Sequence, residues 1–347
     1  MPYELPPDPS TARRTRVTQW VTFALAGLLV ALVAYFAYVG YEGSRQFTDA
    51  PAPSADCRTP ATLEWEYEAI NYDQAGDAAL AEEADPRTCT ARGAVAGDAV
   101  TGPGGVGLAG WYIPAGSGAP AAAPTVILAH GWGSNKSAML ERAAILHDRY
   151  HLVLLDFRNH GQSAEADTTQ GVRESGDVRA MIDWLESTKG PDRIAVLGAS
   201  MGGASSLAAA VRDDRIDAVI VESTHATLAN AIQARLDLAG YPLSMPGSWA
   251  ILLGSLVRTG EDASSVDPIQ AVARLDERPV LLVYGALDDS IGPTDAEDMR
   301  AAAAGAGIDV ELHVCADAGH DRAPEACPLD YPGWVLGFLE RAIADPG

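Results

Sequence analysis

The chain has 347 residues, 48% of them hydrophobic, which suits a sizeable core and argues against a disordered polymer. Its formal net charge of −23 argues against nucleic acid as a partner, because phosphate contacts need Lys and Arg. The acidity says little else, since it also keeps a surface soluble.

Residues 1–16 are Pro-rich and polar and read as a disordered cytoplasmic tail. Residues 17–41, VTQWVTFALAGLLVALVAYFAYVGY, carry no charge over 25 positions. As a helix they span roughly 37 Å, against a hydrocarbon core of about 30 Å. Trp20 near one end and Tyr35, Tyr38 and Tyr41 near the other fit interfacial aromatic belts. Arg13, Arg14 and Arg16 precede the segment, while Glu42 and Arg45 follow it. The positive-inside bias then expects a single-pass anchor in the cell membrane, N-terminus cytoplasmic and the rest of the chain outside. A cleaved signal peptide competes with this reading, but its apolar region runs about 7 to 15 residues and ends in small ones.

Residues 42–61 read as an extended linker, and 62–347 as one domain. Cys57, Cys89, Cys315 and Cys327 all fall on the expected outer side, where disulfides persist. The local pairings, Cys57–Cys89 and Cys315–Cys327, each close a short loop beside apparent strands. No CxxC or Cys/His finger spacing is present, so no metal is expected.

Residues 62–73 are strand-like or amphipathic, and GGVGLAGWYIP at 104–114 reads as a strand ending at a proline. From TVILAHG at 125–131 onward, short apolar runs alternate with helical stretches. HLVLLDFRNHG, RIAVLGAS, IDAVIVEST, RPVLLVYGALD and DVELHVCADAGH are the later runs. Such alternation predicts parallel strands buried on both faces. Residues 226–275 interrupt it with helical patches and read as a cap insertion over the carboxyl ends of the strands.

In sheets of this kind functional groups collect where strands end. Ser200 stands in Gly198-Ala-Ser-Met-Gly202, directly after the run IAVL and before an Ala-rich helix over 202–211. The glycines permit a strained turn that exposes a hydroxyl, and the helix start favours negative charge beside it. A serine needs a base. Of seven histidines, His320 follows the last strand, C-terminal to both the serine and the acid candidates. His130 stands at a strand end, where bonding to nearby backbone is the simpler reading. His160 and His225 are loop histidines with no evident partner, and His313 falls within a strand. The loop after the next-to-last strand offers Asp288 and Asp289 to orient the imidazole, with Glu222 a minor alternative.

Taken in order, GVGLAGWYIP, TVILAHGWGSN, DFRNHGQS, GASMGG, VDPIQAVARLDERPVLLVYGALDDSIGP and AGH resemble the α/β-hydrolase superfamily, in its esterase and serine-aminopeptidase-like branch. The likeness covers about residues 62 to 343. It implies a mostly parallel central sheet flanked by helices, with a small helical cap. The family's acid commonly stands three residues after a strand-ending glycine, with an aliphatic residue two or three further on. Gly285, Asp288 and Ile291 match that spacing, although the usual proline is displaced by Gly292 to Pro293. The likeness further implies a Ser200–His320–Asp288 triad, with backbone N–H groups of Trp132 and Met201 as the oxyanion hole. The expected activity is cleavage of a carboxylic ester, thioester or amide through an acyl-enzyme, without a cofactor. The substrate class is a small or lipid-like acyl compound. An exopeptidase, an acyltransferase or a catalytically silent binding protein of the same fold are the alternatives.

Overall fold

Five strands rich in Val, Ile, Leu and Ala lie side by side at the centre of the molecule, buried on both faces. The structure is a computed structural model and describes residues 9–49, 58–71, 100–120 and 122–343. In chain order, helix α1 (Pro9–Thr48) precedes strands β1 (Glu68–Ile70), β2 (Thr101–Gly102), β3 (Val106–Gly107), β4 (Gly110–Ile113) and β5 (Thr125–Ala129). Alternation follows with α2 (Leu140–Leu146), β6 (His151–Leu155), α3 (Glu174–Thr188), β7 (Ile194–Ala199), α4 (Met201–Ala210) and β8 (Ile216–Glu222). Three helices follow, α5 (Leu228–Leu238), α6 (Ser244–Thr259) and α7 (Pro268–Val272). Then come β9 (Val280–Gly285), α8 (Pro293–Gly305), β10 (Val310–Cys315), α9 (Ala323–Ala326) and α10 (Tyr331–Ala342).

One eight-stranded sheet runs in the order β1-β4-β6-β5-β7-β8-β9-β10. β1 pairs antiparallel with β4, and β4 antiparallel with β6; every pairing from β6 to β10 is parallel. Parallel neighbours cannot be joined by a hairpin, so each crossover brings a helix onto one face. Side chains alternate along the strands, so both faces must be apolar. Ile127, Val153, Val196, Val219 and Leu282 belong to one buried cluster. Their neighbours Val126, Leu128, Leu152, Leu197 and Leu281 belong to the other. The mostly parallel sheet expected from the alternating runs is present. The expected strand at 104–114 is split, because β3 pairs with β2 while β4 joins the main sheet.

Helix α1 departs from the expected boundaries. It begins at Pro9, inside the expected tail, and continues to Thr48, so residues 42–48 are helical rather than linker. Two contacts explain the extension. The end of α1 is held by Thr168 N–H donating to the Thr48 carbonyl at 3.0 Å, and α1 packs along α6. The two backbones approach so closely that a Cβ on Gly254 would lie 2.5 Å from the Gly40 oxygen. A Cβ on Gly40 would lie 2.7 Å from the Ala250 oxygen. Arg258 Nε donates to Ser44 Oγ at 3.0 Å, and Tyr35 donates to the Pro242 carbonyl. Val17, Trp20, Phe23, Leu28, Val30 and Val33, by contrast, stand exposed.

Cys315 and Cys327 form a disulfide with Cα atoms 6.1 Å apart. The expected Cys57–Cys89 pair lies outside the described residues.

Candidate active site

Strand β7 delivers Ser200 to the start of α4, in a backbone conformation of φ 53° and ψ −117°. An L-residue is strained in the positive-φ region, so the surroundings must hold it there. They do so on several sides: Ser200 N–H donates to the Glu222 carbonyl at 2.8 Å, and Thr224 Oγ1 donates to the Ser200 carbonyl at 2.9 Å. The flanking glycines make the turn possible. A Cβ on Gly198 would lie 2.3 Å from the Gly202 oxygen, and one on Gly202 would lie 2.1 Å from the Ala129 oxygen.

The loop after β10 brings His320 alongside. Its Nε2 lies 3.2 Å from Ser200 Oγ, and its Nδ1 lies 2.7 Å from Asp288 Oδ2. The other oxygen of Asp288 accepts from Ile291 N–H at 2.9 Å and from the N–H and hydroxyl of Ser290. Burial opposes ionisation of Asp288, but the bond to His320 and the Ile291 N–H hold its carboxyl below the ordinary carboxylate value. The carboxylate is therefore an acceptor for an Nδ1–H, leaving Nε2 free to receive a proton from a hydroxyl.

Asp289 is exposed, and it is the buried Asp288 that meets His320. Glu222 is buried behind the site rather than in it: Arg142 Nε donates to it at 2.7 Å and Tyr331 hydroxyl bonds its other oxygen. Arg142 also pairs with Asp321, the residue after His320. This buried network braces the histidine loop from below.

The loop after β5 passes over the serine. A Cβ on Gly131 would lie 3.3 Å from Ser200 Cβ, so the chain leading into Trp132 runs beside this serine. Neither Trp132 N–H nor Met201 N–H has a hydrogen-bond partner among the described residues. That loop is fixed by a second buried ion pair: Lys136 Nζ lies 2.5 Å from Asp156 Oδ2, and Asp156 also accepts from the N–H groups of Lys136 and Gln162. Burial opposes ionisation of Asp156, yet the Lys136 charge keeps its carboxyl below the ordinary value. The segment DFRNHGQS thus works as a clamp on the serine-side loop. A Cβ on Gly161, at φ +52°, would strike the Asp156 carboxylate.

The remaining histidines divide by surroundings. His130 bonds backbone on both sides, to the Gly131 carbonyl at 2.7 Å and the Phe157 N–H at 3.1 Å. Burial, helped by neighbouring His160, pushes it down to about 3, so it is neutral. His160 accepts from Gly133 N–H at 3.2 Å, a partner its sequence context did not suggest. His225 is buried close to His320 and Arg235, and burial lowers it to about 3.

Sequence reading passed over Arg235 on α5, whose charge acts on both Asp288 and His225. Its helical position carries no motif. Phe47 escaped notice for the same reason, yet its ring stacks on Trp132 with centroids 6.0 Å apart. Among the described residues no group of three or more His, Cys, Asp and Glu is arranged to hold a metal.

Comparison with known proteins adds the following. Residues 124–258 match a family model described as the alpha/beta hydrolase fold. The uncharacterised protein YfhR of Escherichia coli O157:H7 is 31% identical over 192 residues, 54% of this chain and 61% of the relative. The match thus spans about three fifths of that curated relative. A 3-oxoadipate enol-lactonase of Acinetobacter baylyi is 31% identical over 119 residues, 33% of this chain and 43% of the enzyme. Among solved structures, an esterase of Pyrococcus furiosus superposes with a TM-score of 0.63 at 24% identity, covering 84% of this chain and 99% of that one.

Proposed function

The chain is an α/β hydrolase by fold, and from that premise we propose that it is a membrane-anchored serine hydrolase cleaving carboxylic esters. The observation that carries the reading is the continuous hydrogen-bond line from Ser200 Oγ through His320 to Asp288, at 3.2 and 2.7 Å. Ser200 Oγ attacks the acyl carbon while its proton passes to His320 Nε2. Asp288 holds the imidazole in the tautomer that can accept it and stabilises the cation formed. The oxygen that gains negative charge is met by the N–H groups of Trp132 and Met201 at the positive end of α4. His320 then protonates the leaving alcohol. In the second half a water molecule gives its proton to His320 and its oxygen to the acyl carbon, which releases the acid.

The relatives agree with hydrolysis in kind. One is named an esterase and another an enol-lactonase, both of which cleave an ester linkage. The apolar, unpacked half of α1 supports anchoring, since this helix is long and apolar enough to cross a bilayer. On the same reading the hydrolase domain lies outside the cell and the N-terminus within.

A fluorophosphonate probe tests the chemistry directly. We expect a single adduct on Ser200 by intact mass and peptide mapping, absent in Ser200→Ala. A wild-type chain that takes no adduct while hydrolysing no p-nitrophenyl ester from acetate to decanoate would defeat the reading.

A further inference from the structure

A cavity of about 240 Å³ opens between α1 and α5. Tyr38, Val39 and Phe47 of α1 form one wall, and Ile232 and Leu236 of α5 the other, with Ile251 of α6 behind. Trp132, next in the chain to the Gly131 that packs against Ser200, also lines the cavity.

One side chain does not suit an apolar cavity. Arg235 lines it, because α5 places Ile232, Arg235, Leu236 and Ala239 on one face by their helical spacing. The guanidinium is partly buried, and it makes no ion pair or side-chain hydrogen bond among the described residues. Buried arginines elsewhere are matched: Arg142 holds Glu222 and Arg158 holds Asp177. Nearby acids do not supply the missing partner. Glu42, in the same cavity, pairs with Arg45 at 3.0 Å, and Asp288 is engaged by His320 and Ile291 N–H. His225 beside it is neutral. A guanidinium that faces an apolar cavity without a counter-charge of its own has a carboxylate or phosphate as its natural complement.

We propose that this cavity binds an amphiphilic ester that carries an anionic group, its apolar chain against α1 and its carboxylate or phosphate on Arg235. The bound compound's fate as a substrate rests on the serine-hydrolase reading; its binding does not. The arrangement makes α1 part of the binding site as well as an anchor. An amphiphile with one end in a bilayer meets the cavity beside the helix that enters the same bilayer.

Calorimetric titration of the full chain in a non-ionic detergent tests this without turnover. The probes are hexyl phosphate, hexanoate, hexan-1-ol and inorganic phosphate. A charge-assisted bond to Arg235 predicts that one or both anionic amphiphiles bind about 10- to 100-fold more tightly than hexan-1-ol. The hexyl phosphate and hexanoate arms decide which anion is favoured. That ratio should collapse toward one in Arg235→Gln and be kept in part by Arg235→Lys. Equal affinity for hexan-1-ol and both anions, an unchanged ratio in Arg235→Gln, or inorganic phosphate binding as well as hexyl phosphate overturns the proposal. Anion preference in a chain inert toward p-nitrophenyl esters upholds the site and removes the hydrolase reading. Ester hydrolysis without anion preference does the reverse.

Discussion

Ser200 holds a positive φ that costs on the order of 1–3 kcal/mol and that nothing in its own side chain favours. The strain is carried by the bonds to Glu222 and Thr224, so the hydroxyl is aimed before any ligand arrives. Asp288 is the residue whose role is most open to a clean test, because its neighbour offers a control. Asp288→Asn should cut kcat for p-nitrophenyl butyrate by about 10⁴-fold, since the amide favours the wrong imidazole tautomer. Asp289→Asn, at an exposed carboxylate, should leave it within a few-fold.

Asp288 also makes a stability prediction with a definite sign. Its native value lies below the unfolded value of 3.8, so the carboxylate stabilises the fold above that pH. The advantage of wild type over Asp288→Asn should be steady at neutral pH and shrink as the pH falls below about 4 through the lower native value. Urea unfolding at stepped pH reads the difference, and a gap that widens on acidification would contradict the assignment.

At the scale of elements, the decisive contact is between α1 and α6. Small residues let the two backbones touch at Gly40 and Gly254, the packing used where helices associate in or beside lipid. Gly254→Leu should force the helices apart and lower stability by about 1–3 kcal/mol, read as a fall in Tm of the full chain in detergent. Gly27→Leu is the matched control, because no atom lies within 4 Å of a Cβ there. Equal melting of the two variants would mean that the packed half of α1 contributes nothing.

For the molecule as a whole, the histidine loop is secured from two sides. The Cys315–Cys327 disulfide joins the end of β10 to the end of α9, enclosing His320 in a short covalent loop. The Arg142 network ties Asp321 to Glu222 at the end of β8. Removing the disulfide as Cys315→Ser/Cys327→Ser should cost about 2–4 kcal/mol and lower kcat through a less ordered His320. Melting temperature and ester turnover measured on the same preparation check both parts. A variant with unaltered Tm and unaltered kcat would show that the loop needs no covalent brace.

The sequence alone determined the central sheet, because parallel strands buried on two faces must be written as unbroken apolar runs such as TVILA and IAVLGA. It also nominated Ser200 from its glycine-flanked strand end and His320 from its place after the last strand, while the choice of Asp288 over Asp289 came from the family resemblance. Only tertiary structure decided where α1 ends, because residues 42–48 are made helical by α6 and Thr168, neither near them in sequence. The same holds for Glu222, set apart from the site by a salt bridge to Arg142, 80 residues away. Arg235 and Phe47 meet the site only through folding, for no local pattern records which face of a helix will close over a distant serine.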